Sequence, residues 1–339
     1  MSTVEPSSPP RIGLVGCGAI AARFHLPALR RLVPPEFITL VDLDISRARA
    51  IGEPFGVSQT SNDLADVLPH VQGIILATPP HLHVPQAIAA LAAGVPVLTE
   101  KPLADTSQAA ESLVQASRSA GIPVGVNNTR RYYASYRAVH ALCRSGELGP
   151  LRRIHLEHGE PFDWPCAPGS YFGKYAGGRG VLLDLGAHTL DLICWWLGAK
   201  PAVLTSRIDA MDGTEAYAEI RAVSGAAQVE MRISWLSKLK NQVRLEFDGG
   251  ALEVFSHDRT EYFVERNGKR SRHATAPQSP DALADEVIGN FLDVVRGTAQ
   301  PGVQAADVLP SLQLLEECYE RAERRAMPWF DHINTYQNV

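Results

Sequence analysis

Arg11-Ile12-Gly13-Leu14-Val15-Gly16-Cys17-Gly18-Ala19-Ile20-Ala21 decides the fold. Its first five residues read as a short buried strand, and an apolar helical pattern runs from Ala19 to Leu32. Between them lies a glycine turn of the kind that cradles phosphates. The first glycine permits the tight turn, the second lets backbone approach a pyrophosphate, and a small residue in the third position lets helix pack on strand. The helix start adds unpaired N–H groups and a partial positive charge. Gly16, Gly18, Ala19 and Ile20 are therefore candidate contacts for a dinucleotide.

Outward from this turn, the chain alternates strand and helix patterns. Strands are expected at Phe37–Val41, Gly73–Ala77, Val95–Leu98 and Ile122–Val126, and helices at Ser46–Phe55, His83–Ala93 and Ser107–Ala120. Continuous apolar strands separated by helices imply a parallel sheet covered on both faces, a doubly wound α/β domain of the Rossmann type. Ligands of such sheets lie beyond the carboxyl ends of the strands, which directs attention to three positions. Asp42 ends the second strand, where a carboxylate accepts from adenosine ribose hydroxyls and repels a 2′-phosphate. NAD is expected over NADP on that basis, with Leu43 offering no cation and Arg47 one helical turn on. Thr78 and Pro79 leave the third strand beside the expected nicotinamide ribose, and His83 reads equally as a cofactor contact or a helix-cap residue. Glu100-Lys101-Pro102 follows the fourth strand, placing a lysine near a cofactor's reactive ring and Glu100 where it positions cofactor or lysine.

Beyond Asn127 the pattern changes. After a helix at Ala134–Ser145, strand-like segments run over Arg152–His158, Ala202–Asp209, Glu215–Val223, Ala227–Ser234, Gln242–Asp248 and Ala251–Ser256. Several alternate polar and apolar residues, as antiparallel strands with one packed face do, and Asp248-Gly249-Gly250 signals a hairpin. Helical patterns return at Ala282–Arg296 and Ala305–Arg325. The expected organisation is a disordered Ser/Pro-rich leader over 1–10, a dinucleotide-binding domain over 11–128 and an α+β domain over 129–330.

Composition narrows the function classes. A net charge of −5 over 339 residues argues against a nucleic-acid binder. The longest mostly apolar stretch, Gln86–Leu98, is too short and too interrupted by Gly and Pro to span a bilayer. The first ten residues lack the charged and apolar regions of a signal peptide, and five cysteines without metal or disulfide spacing fit a reducing compartment. The expected location is the cytoplasm.

A second polar cluster sits in apolar sequence, Gly177-Gly178-Arg179-Gly180 followed by Val181 to Leu192. On a helix Asp184 and His188 share a face, and ionisable groups in a core-like segment are costly unless paired. Asp191 extends the set to i, i+4, i+7, a metal-like face that no other ligand-rich segment completes, so no metal is expected.

The glycine turn, Ala77-Thr78-Pro79-Pro80 with His83, Glu100-Lys101-Pro102 and the Asp184-x-Gly186-x-His188-x-x-Asp191 string together resemble the Gfo/Idh/MocA oxidoreductases, over about Arg11 to Pro328. The resemblance implies a Rossmann domain, then an α+β domain with a large, mostly antiparallel sheet whose open face mediates homodimers or homotetramers. It implies hydride transfer between nicotinamide and a carbinol or ketone carbon of a sugar, polyol, cyclitol or derivative. Lys101 falls on the family's catalytic lysine, and Asp184 and His188 on its acid and histidine. Arg130 matches a substrate-contacting position, and Thr129 beside it the nicotinamide side of the cofactor. Asp163 and Trp164, in the loop before the cluster, border the expected substrate pocket, where Trp beside Asp suits a sugar's face and hydroxyls. Two rivals keep the fold: an NAD-using glycosidase, and a non-catalytic cofactor-binding regulator, against which the presence of both Lys101 and His188 speaks.

Overall fold

The computed structural model describes residues 8–163, 179–209, 214–256 and 258–325. The first part of the expected leader, through residue 7, and Trp164 lie outside them. The chain forms two compact units, 1–132 with 278–309, and 133–277 with 310–339.

In the first unit, six parallel strands alternate with helices. They are β1 (Ile12–Val15), β2 (Ile38–Val41), β3 (Gln59–Ser61), β4 (Gly73–Leu76), β5 (Val97–Glu100) and β6 (Val124–Asn127), ordered β3-β2-β1-β4-β5-β6. The helices are α1 (Leu26–Leu32), α2 (Ile45–Gly52), α3 (Leu64–Val67), α4 (Pro80–Ala92) and α5 (Ser107–Ala120). Every residue of β1, β4, β5 and β6 is buried, which explains the unbroken apolar sequence of β1 and β4, while β5 and β6 turn polar only at their carboxyl ends, at Thr99, Glu100 and Asn127. The helix after β1 passes through a π-helical turn, Ala21–His25, before α1. Strand order reverses between β1 and β4, the switch point at which doubly wound sheets take their ligands.

In the second unit, α6 (Ala134–Ser145), β7 (Leu151–Gly159), α7 (Val181–Leu197) and the strands β8 (Ala202–Ile208), β9 (Tyr217–Ser224), β10 (Ala227–Ser234), β11 (Gln242–Phe247), β12 (Gly250–Phe255), β13 (Glu261–Arg266) and β14 (Lys269–Ala274) follow in order. After them come α8 (Pro280–Val295), which belongs to the first unit, then α9 (Leu309–Glu320) and β15 (Ala322–Arg324). The nine-stranded sheet runs β14-β13-β12-β11-β7-β10-β9-β8-β15, antiparallel except for β7 with β10 and β8 with β15. One face carries Ile154, Leu156, Val229, Met231, Ile233, Val243 and Leu245, all buried, and α7 packs on β7, β9 and β10. The other face carries charges in register across strands. Glu157 stands opposite Arg232 and bonds it, and Arg244 stands opposite Glu253 and bonds Glu265.

Four features depart from the sequence expectation. β3 is a short, mostly polar edge strand without an apolar run. β13 and β14 form a further hairpin whose outer strand, Lys269-Arg270-Ser271-Arg272-His273-Ala274, carries the charges that protect a sheet edge and so hides the apolar alternation. The helix expected over Ala305–Arg325 is shorter: a 3-10 turn at Ala305–Val308 precedes α9, and Ala322–Arg324 leaves the helix to pair with β8. Finally, 278–309 returns to the first unit, outside the simple division at residue 128. There α8 packs on α1, and its Phe291 and Val295 lie over Gly73 of β4, where a Cβ would come within 2.5 Å of Val295.

Ile154, fully buried at the middle of β7 between β10 and β11, tests the second core. Ile154→Ala is expected to cost about 2–5 kcal/mol, read as a lowered urea midpoint of the second unit's unfolding transition.

Candidate active site

The first unit gathers the residues expected to contact a cofactor at the carboxyl ends of β1, β2, β4, β5 and β6. Gly16 holds φ +89°, and a Cβ there would lie 2.7 Å from the Ala77 carbonyl oxygen, so only glycine lets the turn pass this close to β4. Gly18 faces open space, with nothing within 4 Å of its would-be Cβ, as a turn that admits a pyrophosphate against its backbone requires. Asp42 ties this turn to β2: its carboxylate accepts from the Cys17 N–H at 2.8 Å and from the Asp44 N–H at 2.9 Å. Arg47 lies against both Asp42 and Asp44, at 3.4 and 3.6 Å, while Leu43 is 90% exposed. Burial and the neighbouring Asp42 charge push the Cys17 thiol up to about 12, leaving it protonated. These features fit a dinucleotide.

His83 is wholly buried on α4 and its side chain does not cap that helix. Its ring nitrogens meet the Thr78 carbonyl at 2.7 Å and the Pro102 carbonyl at 3.0 Å, so it ties the loop after β4 to the loop after β5. Burial lowers its pKa against the pull of these carbonyls and of Glu100. A neutral ring donates to one of the two carbonyls at a time. Thr78 in turn donates its hydroxyl to Gln86, one turn past His83 on α4.

Glu100 ends β5 with its carboxylate turned inward. Its Oε1 accepts from Asn127 Nδ2 at 2.6 Å and meets His25 Nε2 at 2.7 Å, and its Oε2 accepts from the Lys101 N–H at 3.2 Å. Burial pushes its pKa up, but the bonds and charge of His25, the Asn127 amide and the Lys101 charge outweigh it and hold the carboxyl below its ordinary range. Lys101 is half-buried, and its peptide bond to Pro102 is cis. Thr129 and Arg130, both half-buried, begin the 3-10 turn after β6.

In the second unit, α7 carries Asp184 and His188 on one half-buried face, one turn apart. Asp191 follows one turn further along the same side of α7, deeper in the packing. It is fully buried, and its Oδ1 accepts from the Ser311 hydroxyl of α9. Among the described residues no group of three or more His, Cys, Asp or Glu is placed to hold a metal. The start of α7 is fixed by Glu215, just before β9. Its Oε1 accepts from the Gly180 N–H at 2.7 Å, the Leu182 N–H at 3.2 Å and the Tyr319 hydroxyl at 2.6 Å, while its own carbonyl accepts from Val181. A carboxylate here caps orphan N–H groups and meets the positive end of the helix. Burial raises the Glu215 pKa despite these bonds, and burial beside Glu215 raises that of Tyr319. Asp163 is exposed beyond β7; its neighbour Phe162 donates its N–H to the Trp235 carbonyl, and their rings lie 4.8 Å apart.

Sequence reasoning passed over His25, Asn127, Glu215 and Tyr319. His25 sits within an apolar helical run, and Glu215 lies 35 residues beyond Gly180 at the helix start it caps, so neither has a local signal.

Two family models cover most of the chain. One, described as an oxidoreductase family with an NAD-binding Rossmann fold, matches residues 10–128, and the other, the GFO/IDH/MocA C-terminal domain, matches 136–261. The chain belongs to the Gfo/Idh/MocA oxidoreductases. Among its relatives is the D-apiose dehydrogenase of Paraburkholderia graminis, 29% identical over 334 residues, 90% of this chain and 86% of that protein. Solved structures share the fold at lower identity. KijD10, a 3-ketoreductase from Actinomadura kijaniata in complex with NADP and TDP-benzene, superposes with a TM-score of 0.79 at 21% identity, covering 95% of this chain and all of that one. An Agrobacterium radiobacter oxidoreductase in complex with NAD+, L-tartaric acid and magnesium gives 0.77 at 22%, covering 93% and 96%. The chain is thus an oxidoreductase with an NAD(P)-binding domain, and among the described residues no helix is long and apolar enough to cross a membrane.

Glu215 has a pH signature. A raised folded pKa means that the folded chain binds this proton more readily than the unfolded one. Stability from this group is complete below the ordinary glutamate value of about 4.3 and is lost as pH rises through the raised value. Glu215→Gln keeps an acceptor for all three donors, so its stability relative to the parent protein is expected to grow as pH rises across that window, measured by urea unfolding. Glu215→Ala removes the cap and is expected to destabilise by about 0.5–2 kcal/mol across the range.

Proposed function

We propose that this protein is an NAD-dependent dehydrogenase or reductase moving a hydride between nicotinamide and a carbinol or ketone carbon of a sugar, polyol, cyclitol or derivative. The observation that carries the reading is the α7 face, which sets Asp184 and His188 one turn apart in a member of an oxidoreductase family. The name of the D-apiose dehydrogenase relative supports the sugar class.

In this reading, Gly16, Gly18, Ala19 and Ile20 hold the pyrophosphate, Asp42 the adenosine ribose, and Thr78, Pro79 and Thr129 the nicotinamide side. The bound dinucleotide supplies the hydride donor or acceptor. Lys101 hydrogen-bonds the reacting oxygen and stabilises its developing negative charge. His188 takes the hydroxyl proton in oxidation and returns it in reduction, the general acid–base role histidine most often fills. Asp184 orients His188 or an adjacent substrate hydroxyl, and Arg130 and Asp163 bind substrate hydroxyls. Preference for NAD follows from Asp42, which meets a 2′-phosphate with like charge, while Arg47 is already engaged by Asp42 and Asp44. Homo-oligomers formed through the nine-stranded sheet belong to the same reading.

A panel of polyols, aminocyclitols and sugars with NAD or NADP, followed at the NADH absorbance band, tests this reading; no turnover with any member would overturn it. On the best substrate, Lys101→Ala and His188→Ala are each expected to lower kcat by about 10²–10⁴-fold. Asp42→Ala is expected to raise the use of NADP relative to NAD by about tenfold, the worth of one lost charge repulsion of about 1.4 kcal/mol.

A further inference from the structure

His25 is fully buried, yet it is a polar residue on the helix that follows the glycine turn. The π-helical turn Ala21–His25 ends on it, and such turns recur at functional positions. Its ring reaches from the helix after β1 to the end of β5, two places along the sheet, and meets the Glu100 carboxylate at 2.7 Å. An ionised carboxylate only accepts hydrogen bonds, so Nε2 is the nitrogen that carries the proton. Nδ1 is buried and has no hydrogen-bond partner, so the ring's one polar contact is with Glu100.

Glu100 then distributes this contact. The oxygen that meets His25 also accepts from Asn127 at the end of β6, and the other accepts from the backbone N–H of Lys101. A buried carboxylate stripped of a partner must find another or take up a proton. The cation nearest in the chain is Lys101, whose charge already acts on Glu100.

We infer that His25 is a positioning residue: by satisfying Glu100 it keeps that carboxylate from capturing the Lys101 ammonium, and so links the pyrophosphate helix to the reactive lysine. The inference rests on the catalytic role proposed for Lys101. It separates His25 from a packing residue, whose loss would lower stability without redirecting the lysine.

The test compares His25→Leu, which removes the donor, with His25→Gln, whose side-chain amide reaches a similar point and can donate to Glu100. The first readout needs no substrate. Trace acetylation of the intact protein, mapped by peptide mass spectrometry, gives the labelling rate of Lys101 relative to exposed lysines such as Lys238. Lys101 is expected to label several-fold more slowly in His25→Leu and at the parental rate in His25→Gln. The second readout is kinetic: kcat falls about tenfold or more in His25→Leu, with KM for the cofactor within about twofold, and His25→Gln recovers most of it. Equal Lys101 labelling in all three proteins overturns the inference, whatever the turnover. Full turnover in Lys101→Ala removes the catalytic reading while leaving the labelling result to stand on its own. If His25→Leu does not fold, Glu100→Gln replaces it: neutralising the carboxylate removes its pull on the lysine, so Lys101 labels at the parental rate or faster, and slower labelling overturns the inference.

Discussion

A carboxylate taken out of water costs several kcal/mol unless donors replace its hydration, and this fold sets that requirement at one buried glutamate in each unit. Glu100 sits at the carboxyl end of β5, where the helix after β1, its own chain and the neighbouring strand β6 each supply it with a donor: His25, Lys101 and Asn127. Glu215 does the same for α7, drawing on Gly180, Leu182 and Tyr319. In each case one buried acid gathers backbone and side chains from segments distant in sequence. The positions of Lys101 on one unit, and of Asp184 and His188 on the other, inherit their order from those two contacts.

The electrostatic consequences differ between the two. Glu100 is surrounded by groups that favour its charge, so its carboxyl is held acidic. Glu215 has donors too, but burial dominates and its proton is held more tightly. Both are capped acids, yet only the first sits beside a histidine and a lysine. The charged face of the nine-stranded sheet meets the same problem with arginines: the buried Glu157 pairs with Arg232, and the buried Glu253 and the more open Glu265 with Arg244, each across strands.

Much of this architecture was legible in the sequence, for physical reasons. The central parallel strands β1 and β4 are buried on both faces and so write continuous apolar runs, and the glycine turn needs glycine at Gly16 because φ is positive and β4 is close. The Asp248-Gly249-Gly250 signal marks the β11–β12 hairpin. Legibility failed where a residue's role depends on a distant partner. His25 looks like any helical histidine until Glu100 is beside it, and β15 looks helical until β8 offers it backbone bonds. His83 carried two readings, and its ring makes a third arrangement, a tie between two loops.

The return of α8 to the first unit bears on how the chain is made. Val287, Ile288, Phe291 and Leu292 are buried there, and Gly73 is shaped to receive Phe291 and Val295. A nascent chain that has emerged only as far as β6 has all six strands of its first sheet but lacks the helix that covers part of it. The ribosome delivers that helix about 150 residues later, several seconds at least at ordinary synthesis rates, after the whole of β7–β14. During that interval the first sheet carries an uncovered apolar strip, so the unit encoded first cannot be completed until β14 of the second has been made.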